Sequence, residues 1–447
     1  MLRQNTCQYV LFFLSLPLYF LIGYKIQRQE TVPLFLIYFS LFLLYVLIIR
    51  KNTHINDDSL KFWIIAAVIF RLMLLFSVPA LSDDFYRFIW DGRLLAAGYH
   101  PFAEVPSYYM SQSLSIPGID QGLFNKLNSK QTFTIYPSVA QFIFWLSVKL
   151  STGTVYSSIV VMKVIIFLFE IGTLWMMTKV LLRFNIARAN TLLYALNPLV
   201  ILELTGNLHF EGVMVFFLLT AVFYLTRQQL SVSSLAFALS ICTKLIPLLF
   251  LPLLLRYLGW KKTLIYWTLT GAITLLLFLP LLNTEIIRGL TTSLGYYFQR
   301  FEFNASLYYL IREIGYLIAG FNIIQFAAPL LAIAAASIIF YLAFRNLPSS
   351  FTGNIDASVF KSMVWSMFIY LLSAAILHPW YIITLLVISL MTPFRFPLVW
   401  TGVIFLSYAG YTQTEFEENL LLVAIEYIIM IAYLLYETVW NKRQNHS

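Results

Sequence analysis

The chain has 447 residues, of which 60% are hydrophobic and only 11% are Asp, Glu, Lys or Arg. A soluble protein carries about 25% charged residues and roughly 45–50% apolar ones, so a soluble globule, a disordered chain and a disulfide scaffold are all excluded. The formal net charge of +9 reads as the surplus of Lys and Arg in the cytoplasmic loops of a membrane protein, and no nucleic-acid partner is expected.

A helix crossing the hydrocarbon core needs roughly 20 apolar residues. In chain order, the stretches that approach this are 8–24, 33–49, 61–80, 156–178, 190–205, 209–226, 263–281, 321–344, 358–377, 397–411 and 419–438. No small-residue cleavage site follows the first of them, so it reads as a retained span rather than a signal peptide. Residues 137–152 are short and begin at Pro137, 231–243 and 245–258 are half-length pieces meeting at Lys244, and 380–392 is short again. Cations cluster at Arg50, Lys51 and Lys61, at Lys179, Arg183 and Arg188, and at Arg256, Lys261 and Lys262. The positive-inside rule puts these on one side only if 137–152 does not cross and the pieces flanking Lys244 form a short down-and-up pair. The predicted architecture is an all-α polytopic transmembrane helical bundle of about 12–14 membrane segments, some of them partial. The segment 82–136, the link 206–208, Lys244, the loop 282–303 and His378-Pro379-Trp380 then share the non-cytoplasmic face. Cys7 and Cys242 lie in or beside apolar segments and read as buried thiols.

Four places could carry chemistry. The first is SDDFYRFIWDGRLLAAGYHPF, residues 82–102, where Asp83, Asp84, Arg87, Asp91 and Arg93 crowd the exit of the third span. On a helix Asp84 and Arg87 share a face, as do Arg87 and Asp91. The stretch is either a solvated interfacial cap or a carboxylate base held beside a guanidinium. An Asp near its ordinary pKa of about 3.9 is ionised at neutral pH and able to take a proton from a hydroxyl.

The second is ALNPLVILELTGNLHFEG, residues 195–212. Glu203 inside an apolar helix needs a partner or a cavity, Asn207 reads as a helix N-cap, and His209 and Glu211 are either structural or site members. An Asp, Glu and His set of this kind could also hold a divalent cation, although the ligand types do not require one. The third is Lys244, with no acidic residue within 30 positions on either side. It either snorkels to water or meets an anion, because a lysine between two helix ends resembles a phosphate cradle. The fourth is the loop 282–313, in which Arg300 is a further candidate for a phosphate contact. His378-Pro379-Trp380-Tyr381 reads as an interfacial aromatic anchor.

With these residues in view, the chain resembles the GT-C superfamily of membrane glycosyltransferases. Within it, the pattern is that of bacterial polyprenol-phosphate-mannose-dependent mannosyltransferase-like proteins and of the GPI mannosyltransferase I catalytic subunit. The resemblance rests on Asp83-Asp84-Phe85-Tyr86-Arg87-Phe88, Asp91-Gly92, Gly98-Tyr99-His100-Pro101-Phe102, Tyr136-Pro137, Asn197-Pro198, His209-Phe210-Glu211 and Thr243-Lys244-Leu245-Ile246-Pro247. Two features depart from the family pattern: the acidic pair lacks the intervening residue of a strict DxD, and two spans precede the family's usual first helix. The implied organisation is two added N-terminal helices in 1–60, a catalytic module in 61–310 and C-terminal helices in 311–447.

The resemblance implies a sugar donor carried on a polyprenyl phosphate, entering from the bilayer, and a glycan or glycolipid acceptor. Asp84 or Asp83 would be the base and Arg87 its neighbour, while Lys244 with Arg300 would meet the phosphate; Asp91, His209 and Glu211 complete the substrate set, with no metal ligand assigned. The implied place is the outer face of a bacterial cell membrane. The rival from another class is a secondary transporter or lipid flippase, which also uses broken helices and intramembrane charges. A non-catalytic subunit of an envelope complex is the third reading.

Overall fold

The structure, a computed structural model, describes residues 2–51, 56–112, 114–282, 288–289, 291–293, 295, 301–345, 356–411 and 416–444. Among these residues the secondary structure is helical and no strand forms beyond two isolated bridges, Phe303 to Ile376 and Tyr411 to Phe416. Among the described residues, six helices are long and apolar enough to cross a bilayer: Thr6–Tyr24, Thr31–Lys51, Val155–Arg183, Ile246–Leu281, Ile324–Phe344 and Leu420–Val439. A broken pair, Pro198–Gly206 with Glu211–Thr226, would make a seventh, and five shorter apolar helices accompany them. The protein is thus an all-α, multi-pass membrane protein, as its composition requires. Its described residues fall into two compact units.

The first unit comprises Met1–Leu81, Met177–His209 and Leu377–Ser447. Here the expected span 190–205 is not one helix. It is a 3-10 turn at Arg188–Asn190, a helix at Thr191–Ala195, a break at Asn197, a turn at Pro198–Val200 and a π-helical turn at Ile201–Gly206. The break follows from Pro198, which has no N–H to give, and from Asn197, whose side chain caps the Leu199 and Val200 amides at 3.0 and 3.4 Å. Buried polar side chains take up the freed carbonyls. Arg71 donates to Ala195 O at 2.7 Å, and the Tyr45 hydroxyl donates to Leu193 O at 2.8 Å. Asn197 Nδ2 reaches Thr401 Oγ1 at 2.9 Å, and Tyr38 stacks on Phe405 with ring centroids 3.6 Å apart. Irregular backbone at membrane depth is tolerated only when protein groups satisfy it in this way.

The second unit comprises Ser82–Met176 and Phe210–Ile376. The helix Asp84–Ala96 lies against the helix Ser138–Leu150. Phe88 and Phe144 stack across that contact at 4.6 Å, and Phe210 packs edge-on against both, at 5.4 and 5.2 Å. This three-ring cluster leads directly into the helix Glu211–Thr226, which turns at 227–229 into the helix Leu230–Thr243. The two run side by side through small residues, with Ser240 Oγ donating to Met214 O at 2.8 Å and Ser233 Oγ to Ala221 O at 2.7 Å, as small and hydroxyl side chains do between membrane helices.

The Leu230 helix stops at Lys244, whose backbone is extended at φ −150° and ψ 144°. Pro247 and Pro252 shape the 3-10 turns that follow, and Gly259, at φ 72°, breaks the helix Leu255–Phe278 near its start. The interruption at Lys244 was legible as the junction of the two half-length pieces, whereas 256–262, expected as a loop between segments, lies within the helix that Gly259 kinks.

At Gly92 the Asp84 and Ser138 helices approach closely: a Cβ there would lie 2.5 Å from the Phe144 carbonyl oxygen. Because that obstacle is backbone, Gly92→Ala is expected to force the helices apart at a cost of about 1–3 kcal/mol. Gly271→Ala, with nothing within 4 Å of its Cβ, is expected to leave the melting temperature in detergent at or above that of the unaltered protein, and Gly92→Ala to lower it.

Candidate active site

The Asp84 helix begins with its own candidate base. A carboxylate in the first turn sits at the positive end of the helix, and Asp84 is half-buried there, with its amide on Ser82 Oγ at 3.3 Å. Asn128 Nδ2 donates to Asp84 Oδ1 at 3.0 Å. Asp83, also half-buried, occupies the N-cap position without a side-chain cap bond.

One turn further on, Arg87 and Asp91 are almost fully withdrawn from solvent, 4% and 0% exposed, with Nε 2.8 Å from Oδ1. The other Asp91 oxygen accepts from Gln141 Nε2 at 2.9 Å, and Gln141 also reaches Thr134 Oγ1 at 3.1 Å. Arg87 NH1 donates to the carbonyls of Ser129 and Thr132 at 3.1 and 2.8 Å. Of the two carboxylates expected to share a face with Arg87, Asp91 holds its Nε, the strap 128–134 takes its NH1, and Asn128 donates to Asp84. The physical reason is burial: a carboxylate with no exposed surface requires an immediate counter-charge. Arg93 pins the rest of the segment, donating to the carbonyls of Gly118 and, at 2.9 Å, Gly153. The Tyr109 hydroxyl is pushed up to about 12, chiefly by burial and then by the Asp91 and Glu104 charges, so it serves as a neutral donor to His100 O.

Lys244 is not isolated. Its Nζ donates to Glu211 Oε1, with the ammonium side chain 17% exposed and Glu211 fully buried. The two are 33 positions apart, just beyond the window in which the sequence was searched. The signal that would have found the pair is helical arithmetic. A hairpin that turns at 227–229 returns the end of the Leu230 helix to the start of the Glu211 helix. Glu211 Oε2 is buried with no hydrogen-bond partner, and Asp84 lies within electrostatic reach of Glu211. The second unit thus assembles Asp84, Arg87 and Asp91, Asn128, Glu211, and Lys244 from four separate parts of the chain.

His209 belongs to the first unit and is engaged there. Its ring stacks on Trp380 with centroids 3.5 Å apart, and Nε2 is 3.4 Å from Glu203 Oε2. The Tyr408 hydroxyl donates to the other Glu203 oxygen at 2.7 Å, which supplies the partner that an intramembrane carboxylate needs.

Two readings are corrected here. Trp380 is 5% exposed and stacks with both His209 and His378, so it is an interior ring and not a lipid-facing anchor. Asn207 is not an N-cap, because the next helix starts only at Glu211. Its side chain instead accepts from the Leu81 amide at 3.1 Å and donates to Leu202 O at 2.9 Å, beside Leu208 at φ 65°. Arg300 lies outside the described residues. Among the described residues, no three His, Cys, Asp or Glu side chains converge as a metal site.

A family model described as "Alpha-(1->6)-mannopyranosyltransferase, N-terminal domain" matches residues 17–259, more than half of the chain and the whole run from Asp83 to Lys244. The chain belongs to this family. No curated protein matches it. Membership bears out the GT-C mannosyltransferase resemblance read from the motifs, makes glycosyl transfer the activity, and sets the transporter reading aside.

Asp91→Ala leaves Arg87 buried without its counter-ion and is expected to cost about 3–5 kcal/mol, seen as loss of monodisperse protein in detergent. The paired change Arg87→Met with Asp91→Leu, which removes both charges, is expected to recover folded protein without recovering full transfer.

Proposed function

We propose that the protein moves a mannosyl or related hexosyl group from a polyprenyl-phosphate-linked donor to a hydroxyl of a glycan or glycolipid acceptor. The transfer takes place at the non-cytoplasmic face of a bacterial cell membrane, with inversion at the anomeric carbon. The observation that carries this reading is the charge arrangement in the second unit: a half-exposed Asp84 carboxylate within electrostatic reach of a pair in which Glu211 is buried and Lys244 keeps some exposure.

Asp84 takes the proton of the acceptor hydroxyl as its oxygen bonds to the anomeric carbon. The bond from that carbon to the phosphate oxygen breaks, and the electron pair leaves with the polyprenyl phosphate. Lys244 meets the negative charge growing there, an interaction stronger in the transition state than in the ground state. Arg300 is a second candidate for the same phosphate, and Asp83 the alternative base. Glu211 neutralises Lys244 until the phosphate arrives, which lets an ammonium exist at a helix end in apolar surroundings. Asp91 and Arg87, buried with their polar atoms bonded to each other and to the frame, hold the site's shape rather than touch substrate. His209, engaged with Glu203 and Trp380, serves the same purpose in the first unit.

Two substitutions test the assignment. Asp84→Asn, similar in shape and unable to take the proton, is expected to lower transfer from a labelled polyprenyl-phosphate sugar by about 10²–10⁴-fold with folding intact; a purified variant with wild-type turnover would rule Asp84 out as base. Lys244→Ala/Glu211→Gln, which leaves no unpaired buried charge, is expected to raise the donor KM about tenfold or more with the acceptor KM unchanged. Equal changes in both KM values, or none, would assign Lys244 to snorkelling.

A further inference from the structure

The strap that follows the short helix Gln121–Asn125 is held at nearly every residue. Leu127 is buried, Ser129 O and Thr132 O accept from Arg87, and Lys130 O accepts from the Ser107 amide at 3.0 Å. Lys126 lies over the Tyr86 ring at 5.3 Å and Lys130 over the Phe124 ring at 5.4 Å. Asn128 is the exposed residue of this strap whose side chain crosses to the helix opposite, placing Nδ2 3.0 Å from Asp84 Oδ1. An exposed hydrogen bond of this kind adds little to stability, so its placement on a rigidly braced strap calls for another explanation.

We propose that Asn128 is a positioning residue for Asp84: its amide fixes the plane of the carboxylate and keeps it ionised for proton transfer. The inference rests on the reading of Asp84 as the base and adds a residue to it. The physical basis is twofold. A hydrogen bond donated to a carboxylate favours its charged form, and a base displaced by a fraction of an ångström loses much of its effect. The chain of support is continuous: Gln141 holds Asp91, Asp91 holds Arg87, Arg87 holds Ser129 and Thr132, and the strap thus held presents Asn128. The buried ion pair thereby reaches the base through the strap.

The test is the pH profile of kcat for transfer from a labelled polyprenyl-phosphate mannose by the purified full chain. Asn128→Ala is expected to move the acid limb upward by about half a unit to one unit, because the ionised form loses a donor, and to lower the plateau about three- to tenfold with the donor KM unchanged. Asn128→Asp is expected to move the limb further, because a like charge then faces Asp84, and Asn128→Gln to restore part of the plateau.

The other charged groups on the elements packed around Asp84 are Asp83, Arg87, Asp91 and Arg93 on or at the start of its own helix and Lys126 and Lys130 on the strap. Lys149 on the Ser138 helix and Glu211 with Lys244 complete the set. None of them is altered in these variants, so a moved limb reports on Asp84. If Asp84→Asn is inactive while Asn128→Ala and Asn128→Asp keep the wild-type limb and kcat, the positioning role is overturned and the base stands. If Asp84→Asn keeps full activity, both are overturned.

Discussion

A buried guanidinium and a buried carboxylate hold the candidate site together. Arg87 and Asp91 lie one helical turn apart with almost no exposed surface, and neither could stay charged there without the other. Such a pair contributes little to net stability, since the cost of stripping water from both ions offsets most of their attraction. It contributes geometry instead. The remaining hydrogen-bonding capacity of each ion goes to a different element: Asp91 to Gln141 on the Ser138 helix, and Arg87 to two carbonyls of the 128–134 strap. Three segments that share no regular backbone ladder are thereby fixed around one ion pair, and Asp84 is set at the rim of that frame. The close approach at Gly92 and the Phe88, Phe144 and Phe210 cluster supply the apolar part of the same constraint.

A second ion pair, Lys244 with Glu211, works under different conditions. It joins the two ends of a helical hairpin, and Lys244 keeps some exposure while its partner has none. A low-dielectric setting makes any charge brought to this place count strongly. Under the mechanism we propose, a phosphate arriving from the bilayer would compete with Glu211 for the ammonium, whereas Arg87 and Asp91 are bonded to each other and to the surrounding frame. One pair builds the frame, and the other is the one the proposed mechanism uses.

The first unit meets the demands of the membrane by another route. Its chain is broken at Asn197-Pro198 and widened into a π turn over Ile201–Gly206, and every such departure frees backbone groups that lipid cannot satisfy. Arg71, Tyr45, Asn197 and Asn207 take up those groups, and Glu203 is bonded by Tyr408 and approached by His209. Polar residues that look misplaced in an apolar sequence are here the hydrogen-bond partners of an irregular backbone.

Composition and apolar run length were enough to establish an all-helical membrane protein, and the order of Asp83-Asp84, Asn197-Pro198, His209-Phe210-Glu211 and Lys244-Leu245-Ile246-Pro247 was enough to point, by resemblance, to a membrane glycosyltransferase. Those features are local, and local spacing survives in a linear reading. The helix break at Lys244 was legible for the same reason, since proline and charge act on the backbone where they stand. Only the tertiary structure decided the partners. Lys244 met Glu211 by hairpin closure, burial selected Asp91 from the two carboxylates that share a helix face with Arg87, and Trp380 came inside to stack on a histidine from a segment some 170 positions away. Asn128 and Gln141 carry no motif and entered through packing alone. Periodicity within one helix offers the candidate pairs, as it did for Arg87 and Asp91, but pairing between segments depends on how helices meet in three dimensions.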